Sequence, residues 1–171
     1  IRAYLNHRGI SDEVITYCIS HEILYESVPY HNAVFVGKDE SGKARYAFLR
    51  GIYEKNGKGF KMEQTGSEKK YSFCIPPERE TKRVVVYEAC IDALAHMTLE
   101  EGKRDKYRLS LGGIAAPKEY TQIQSERFKK LPDALEEFLK NHPEIKEIEI
   151  CTDNDFAGRW AKEQMKRHYE G

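Results

Sequence analysis

The sequence predicts an α/β fold in which a parallel sheet covered by helices follows a small mixed α+β lobe with antiparallel strands. Two observations lead to this prediction. In the first half, β-type runs are separated by turn signals at Asp39–Gly42 and at 55–59, as in antiparallel hairpins. After Pro77, strand-like and helix-like segments alternate, which is typical of a parallel sheet. We expect the first lobe to span residues 1–80 and the second to span residues 81–171.

The first lobe is predicted to begin with helix over residues 1–27. Ser11 is a suitable N-cap, and Val14, Ile15 and Cys18 recur at helical spacing. Short strands are predicted to follow, because the next apolar runs are short and are bounded by turn residues. These runs are NAVFVG (32–37), ARYAFLRGIY (44–53), FKM (60–62) and YSFCI (71–75).

The second lobe is predicted to contain three strand–helix units. Its first strand, RVVVYE, has a continuous apolar run, as expected when both faces of a sheet are covered. In the third helix, Phe156, Trp160, Ala161 and Met165 are predicted to point inward. The predicted strands are 83–88, 107–113 and 145–151, and the predicted helices are 91–102, 131–143 and 157–169.

Acidic residues follow two of these strands. Glu88 ends the first strand, while Asp153 and Asp155 come directly after the third. Ligand sites of parallel sheets lie outside the carboxyl ends of the strands. Side chains two residues apart in an extended segment point the same way, so both aspartates can face the position that Glu88 reaches. Three converging carboxylates suit Mg²⁺, and we therefore predict a metal site here.

Several neighbouring residues allow more than one interpretation. Asp155 is also placed to cap the helix that follows it, a role compatible with metal binding. Asp92 either interacts with the start of its helix or supports the metal ligands from behind. Gly112 and Gly113, which end the second strand, are predicted to support the same site.

The charge of the chain is zero overall but is unevenly distributed. This balance excludes a globally basic nucleic-acid binder but leaves room for a local basic patch. Residues 43–70 contain eight Lys or Arg against three Asp or Glu. Such a cluster is commonly a solvated hairpin face, yet beside three carboxylates binding of a phosphate backbone is favoured. Four aromatic residues of this region could stack on bases or belong to the core: Tyr46, Tyr53, Phe60 and Tyr71.

Composition also limits the compartment and the class of protein. With 40% hydrophobic residues, the 171-residue chain can bury a core, so disorder is not expected. Its four cysteines form no Cys-x-x-Cys pair, which argues against a zinc site and suits a reducing compartment. Neither a signal peptide nor an apolar run of about 20 residues is present. We therefore expect a cytoplasmic protein that does not associate with membranes.

Three segments of the second half resemble the Toprim domain, which bacterial DNA primases, topoisomerases and some nucleases share. They are VVVYEACIDALA (84–95), LSLGG (109–113) and CTDNDFAGRWA (151–161). The Toprim signature is a glutamate that ends one strand and an Asp-x-Asp that ends a later one. The resemblance implies that Glu88, Asp153 and Asp155 are catalytic and bind Mg²⁺ or Mn²⁺.

The first half resembles the lobe that precedes Toprim in bacterial primases and in primase-like proteins of mobile elements. The segments concerned are YLNHRGIS (4–11), FVGKDESGKARYAFLRG (35–51) and KMEQTGSEKKYSF (61–73). The resemblance implies that basic residues of this lobe face the carboxylates and hold nucleotide or template, which would be Arg50, Lys61 and Lys69. Two features differ from the family pattern: Ala89 replaces a glycine, and the sequence contains no strand after the third helix.

The resemblance implies a primase-like nucleotidyltransferase that synthesises oligonucleotide primers. Its substrates would be single-stranded DNA template and nucleoside triphosphates, and a replicative helicase is a candidate partner. The same carboxylates would support metal-dependent strand cleavage, so a Toprim nuclease is one alternative. A non-catalytic nucleic-acid-binding module of a mobile element is another.

Overall fold

Two four-stranded sheets form the framework of the protein in its computed structural model, which describes residues 1–55, 58–117 and 130–169. The first sheet is antiparallel, with the strand order β1-β2-β3-β4. Its strands are β1 (Leu24–Glu26), β2 (Ala33–Lys38), β3 (Ala44–Lys55) and β4 (Lys58–Glu63). This arrangement confirms the predicted antiparallel strands of the N-terminal half.

Two helices precede the first sheet, α1 (Arg2–His7) and α2 (Asp12–Ser20). The Ser11 hydroxyl accepts a hydrogen bond from the backbone N–H of Val14 at 3.4 Å, which confirms Ser11 as the N-cap. The prediction of helix as far as residue 27 is wrong, because Leu24–Glu26 pairs with β2 as a strand. A three-residue strand is too short to produce a periodic signal of its own.

The hairpin between β2 and β3 closes as its turn residues predict. Asp39 accepts hydrogen bonds from the backbone N–H groups of Ser41 and Lys43, each at 3.0 Å. An aspartate that bonds the following backbone in this way stabilises a turn. The centre of the second predicted turn, at 56–57, lies outside the described residues.

The register of the first sheet decides which side chains share a face. Ala33, Arg50 and Lys61 form one cross-strand row, and Ala33 is completely buried. Because side chains alternate between the two faces of a strand, Arg50 and Lys61 point to the side of the sheet that packs on the core. The opposite face carries the row of Val34, Leu49 and Met62.

The segment YSFCI, predicted as one short strand of the first lobe, is only partly a strand and does not join the first sheet. Lys69–Tyr71 forms a 3-10 turn, and only Cys74–Ile75 is a strand, β5. This strand pairs with the second sheet, antiparallel to residues 108–109. Its two residues are insufficient to show from sequence which sheet they join, since pairing depends on the partner strand.

The second sheet has the order β5-β7-β6-β8, and its three longer strands are parallel. These strands are β6 (Arg83–Tyr87), β7 (Tyr107–Ser110) and β8 (Glu147–Cys151). The helices of this half are α3 (Cys90–Leu99), α4 (Asp133–Asn141) and α5 (Phe156–Tyr169). The predicted alternation of strand and helix is confirmed, and the antiparallel β5 makes the sheet mixed.

Both faces of the second sheet are buried, as the apolar run of β6 predicts. Val85 and Tyr87 belong to a core cluster shared with α1, α2, α3 and the first sheet, whereas Val84 and Val86 pack with α4 and α5. The first of these two clusters therefore joins the two halves, and the boundary near residue 80 stays a prediction. Among the described residues, no helix combines the length and apolarity needed to cross a bilayer.

Candidate metal and nucleotide site

The candidate carboxylates lie at one edge of the second sheet. Tyr87 of β6 is the register partner of Cys151 of β8, and the two strands are parallel neighbours. Glu88 therefore leaves its strand beside the loop that carries Asp153 and Asp155. The two aspartates are exposed, whereas Glu88 is partly buried.

Glu88 has a carboxylate oxygen that is buried without a partner. Its Oε2 atom is buried and has no hydrogen-bond partner among the described residues. Burial raises the pKa of Glu88, and the nearby carboxylates of Asp153, Asp155 and Asp92 raise it further. A buried carboxylate oxygen surrounded by like charges is a position that a cation would stabilise.

Asp155 has a structural role in addition to its charge. Its Oδ1 atom accepts a hydrogen bond from the backbone N–H of Gly158 at 2.8 Å, as an N-cap of α5 does. Gly158 is required there, because a Cβ atom at this residue would lie 1.9 Å from the backbone oxygen of Asp153. The Asp-x-Asp loop is therefore held tightly against the first turn of α5.

A complete metal-binding group is not preformed. Across residues 1–55, 58–117 and 130–169, no three His, Cys, Asp or Glu side chains are arranged to hold a metal ion. The residues present nonetheless fit a hard divalent cation. They offer carboxylate oxygens: one is the buried Oε2 atom of Glu88, and the others belong to the two exposed aspartates, of which Asp155 uses Oδ1 to cap α5.

Asp92 interacts electrostatically with an acidic residue of the site and with basic residues of the first lobe. Its Oδ2 atom accepts a hydrogen bond from the backbone N–H of Ala89 at 3.0 Å, so it stabilises the start of α3. Burial raises the pKa of Asp92 and Asp153 adds to the effect, while Arg50 and Arg8 lower it. Asp92 is therefore close enough to both groups to connect them electrostatically.

Arg50 and Lys61 are direct register partners across β3 and β4. Arg50 lowers the pKa of Asp92, so its guanidinium lies near enough to act on that carboxylate. Arg8, at the end of α1, acts on the same carboxylate and was missed by sequence reasoning. It lies in the segment YLNHRGIS, where no local feature relates the end of α1 to Asp92.

Lys69 belongs to the 3-10 turn and not to the first sheet. Its Cε atom lies 3.0 Å from the position that a Cβ of Gly112 would occupy, and its Nζ atom is 3.7 Å from Glu63. The backbone N–H of Gly113 donates to the backbone oxygen of Glu88 at 2.9 Å. The Gly112–Gly113 turn therefore lies between Lys69 and the strand end that carries Glu88.

The four aromatic residues of the basic region fall into three groups. Tyr46 is only 2% exposed and belongs to the interior, whereas Tyr53 is 73% exposed and Phe60 47%. Tyr71 is partly buried and carries the cations of Arg45 and Lys70 over its ring. Tyr46 is therefore excluded as a stacking surface, while Tyr53 and Phe60 are accessible.

This fold, with acidic residues after neighbouring parallel strands, defines an α/β protein of the Toprim class. A family profile described as Toprim-like matches residues 85–171, and the chain belongs to that family. A second profile, for a family of proteins of unknown function (DUF3991), matches residues 3–79. No curated protein matches the chain.

Solved structures of primases have a similar fold. The primase fragment of the bacteriophage T7 primase-helicase protein matches with a TM-score of 0.60 and 20% identity, covering 95% of this chain and 58% of that one. The E. coli primase catalytic core matches with a TM-score of 0.53 and 17% identity, covering 96% and 58%. The DnaG primase catalytic domain bound to ssDNA matches with a TM-score of 0.53 and 16% identity, covering 94% and 56%. The chain thus has a primase-type Toprim fold and spans less than two thirds of each of these chains.

Proposed function

We propose that the chain is a primase-like, metal-dependent nucleotidyltransferase that synthesises primers on single-stranded DNA. The observation that carries this proposal is the buried Oε2 atom of Glu88, which has no hydrogen-bond partner among the described residues and lies near other carboxylates. Arg8 and Arg50 of the first lobe act on Asp92, one of those carboxylates. A site of this composition is suited to polyphosphate substrates, because it combines a cation-binding side with a phosphate-binding side.

Glu88, Asp153 and Asp155 would hold Mg²⁺ or Mn²⁺. When bound, the ion would neutralise charge on the triphosphate and increase the acidity of the attacking 3′-hydroxyl. Glu88 would also accept the proton of that hydroxyl, a role that the resemblance to the Toprim family suggests. Asp92, Gly112 and Gly113 would hold these groups in place through the backbone contacts described above.

Arg50, Lys61 and Lys69 would bind phosphates of the template or of the incoming nucleotide, and Arg8 joins them in this role. Arg50 and Lys61 are side by side, which matches two successive phosphates of an extended strand. A primase of this kind would meet its template beside a replicative helicase. The resemblance to primase-like proteins of mobile elements suggests such an element as its origin.

The metal is tested first, because its binding does not require the rest of a longer primase. Mn²⁺ binding to the purified chain is measured by electron paramagnetic resonance, for the wild type and for Asp153→Asn. We expect the variant to bind Mn²⁺ at least tenfold more weakly. Glu163→Gln, which removes an exposed carboxylate of α5, is the matched control and should leave binding unchanged.

Catalysis is then measured on single-stranded DNA with labelled nucleoside triphosphates and Mg²⁺ or Mn²⁺. The proposal expects short products that the wild type forms and Asp153→Asn does not. Shortening of the DNA without synthesis would identify a nuclease instead. Retained DNA affinity without Mn²⁺ binding would identify a non-catalytic module, and primer synthesis by Asp153→Asn at the normal rate would refute the assigned site.

A further inference from the structure

A cleft next to the carboxylates is not used by the chemistry described so far. It has a volume of about 520 Å³, within the range of roughly 300–1,000 Å³ that small-molecule pockets occupy. It begins at the Gly112–Gly113 turn and runs along α5. The lining residues that matter here are Lys69, Leu111, Gly113, Trp160, Gln164 and Met165.

The lining of this cleft matches the chemistry of a nucleobase. Trp160 offers a flat aromatic ring, and Leu111 and Met165 supply apolar surface. The amide of Gln164 can both donate and accept a hydrogen bond, as the polar edge of a base requires. Phe156 stacks on Trp160, with ring centroids 6.5 Å apart and planes inclined by 26°, which supports the orientation of the indole.

The cleft is also positioned to hold the base of a nucleotide whose phosphates lie at the metal site. Gly113 lines the cleft and donates its N–H to the backbone oxygen of Glu88. Trp160 follows Asp155 by five residues, or roughly 7.5 Å along a helix axis. Lys69 is shared by the cleft and the basic side, so its ammonium group can bind the intervening phosphates.

We propose that this cleft binds the base of the incoming nucleoside triphosphate, with Trp160 as the stacking ring and Gln164 as the hydrogen-bonding group. This inference rests on the proposed function, because it assigns a substrate class to the same site. It also accounts for the composition of the cleft, in which an aromatic ring and an amide lie beside a lysine.

Trp160 is the single tryptophan of the chain, so its fluorescence reports on the cleft directly. The wild type is titrated with ATP and with inorganic tripolyphosphate, each with Mg²⁺. Tripolyphosphate carries the same phosphates without a base. We expect ATP to quench the tryptophan emission and tripolyphosphate to bind with little quenching. Calorimetry supplies both affinities independently of fluorescence.

Two variants test the assignment of the side chains. Trp160→Leu and Gln164→Ala should each weaken the binding of ATP by roughly tenfold and leave the affinity for tripolyphosphate unchanged. A loss of this size is expected when a stacking or edge contact to a base is removed. Lys166→Ala, on an exposed position of α5, is the control. Gln164 is only partly buried, so its variant reports even if the substitution of Trp160 perturbs folding.

The inference is overturned if ATP and tripolyphosphate quench the tryptophan emission equally, or if neither binds at millimolar concentration. It is also overturned if the ratio of their affinities is the same in the wild type and in all variants. Failure of the proposed function has a different signature. In that case Asp153→Asn would bind both ligands as tightly as the wild type does, while the preference for ATP over tripolyphosphate would persist and would still depend on Gln164.

Discussion

The Lys69 side chain crosses the Gly112 turn so closely that a Cβ atom at residue 112 would lie 3.0 Å from the lysine Cε. The hydroxyl of Tyr46 would be 3.3 Å from that Cβ atom. Gly112 also has a φ of +67°, a conformation that favours glycine. The turn after β7 therefore fixes where a basic side chain of the first lobe meets the acidic edge of the second.

Gly112→Ala should displace Lys69 and weaken nucleotide binding. Gly113→Ala is a closely matched control, because residue 113 has a φ of +94° but nothing within 4 Å of its Cβ position. Both substitutions should cost about 1–2 kcal/mol of stability through backbone strain. Only Gly112→Ala should also lower the affinity for tripolyphosphate, measured by calorimetry. Equal affinities in the two variants would contradict the role assigned to Lys69.

Gly158→Ala should disrupt the Asp-x-Asp loop. The added Cβ would meet the backbone oxygen of Asp153 at 1.9 Å, and a backbone atom cannot move away as a flexible side chain can. We expect a lower melting temperature and at least tenfold weaker Mn²⁺ binding. Gly59→Ala has open space around its Cβ position and should change neither quantity. Unchanged Mn²⁺ affinity in Gly158→Ala would show that the loop does not hold a ligand.

The two roles of Asp155 should separate by substitution. Asp155→Ser keeps a side chain able to cap α5, whereas Asp155→Ala removes the hydrogen bond to the N–H of Gly158. Asp155→Ala should therefore lose about 1 kcal/mol of unfolding free energy, and Asp155→Ser should lose less. Both variants should bind Mn²⁺ more weakly, because the carboxylate is absent from both. A serine variant with full Mn²⁺ affinity would limit Asp155 to capping.

The raised pKa of Glu88 predicts a pH-dependent effect on stability. Because its pKa in the folded protein is above the ordinary value of 4.5, ionisation of Glu88 opposes folding. Glu88→Gln should therefore raise the melting temperature at pH 7.5 without metal. This difference should disappear as the pH falls below 4.5, where the glutamate is neutral in both states.

Added Mn²⁺ should reverse the order of the two melting temperatures, because the ion stabilises only a protein that has the Glu88 carboxylate. The melting temperature of the wild type should rise with Mn²⁺, and that of Glu88→Gln should rise less. A melting temperature of Glu88→Gln at pH 7.5 equal to or below that of the wild type, both without metal, would count against an uncompensated charge at this position.

Ionisation of Glu100 should have the opposite effect on stability and favour folding. Burial raises its pKa, but hydrogen bonds from Lys106 and Arg108, at 2.7 and 2.5 Å, lower it to about 2. Arg108 is 1% exposed, so removing its partner leaves a buried charge. Glu100→Gln should cost on the order of 3 kcal/mol at pH 7, measured by urea unfolding.

The contribution of Glu100 is present above its ordinary pKa of 4.5 and is lost as the pH falls toward 2. The difference between the wild type and Glu100→Gln should narrow over that interval. Glu101→Gln, at the exposed neighbouring position, is the control and should unfold as the wild type does. An effect of equal size in both variants would show that the ion pairs around Arg108 contribute little.

Much of the fold was predictable because long elements carry their own signals. The apolar run of β6, the spacing of the α2 residues and the cap at Ser11 each depend on a few adjacent residues. The errors fall on short or exposed segments. β1 and β5 have three and two residues, and Phe156, predicted to point inward, is 58% exposed.

The candidate site was predictable to a similar degree. Glu88, Asp153 and Asp155 follow strands of a parallel sheet, whose carboxyl ends share one edge whatever the loops between them. Arg8 was not found, because nothing local relates the end of α1 to Asp92. The cleft at Trp160 likewise depends on residues from β7, α5 and the 3-10 turn, which are distant in the sequence.

By itself the sequence determined the order of the longer strands and helices and the three acidic residues that follow two of the strands, since these follow from local periodicity and from turn chemistry. Only the tertiary structure decided that β5 joins the second sheet, that one oxygen of Glu88 is buried without a partner, and that Lys69 crosses Gly112. Those features arise from contacts between distant segments, and burial and electrostatic coupling do not exist until those segments have packed together.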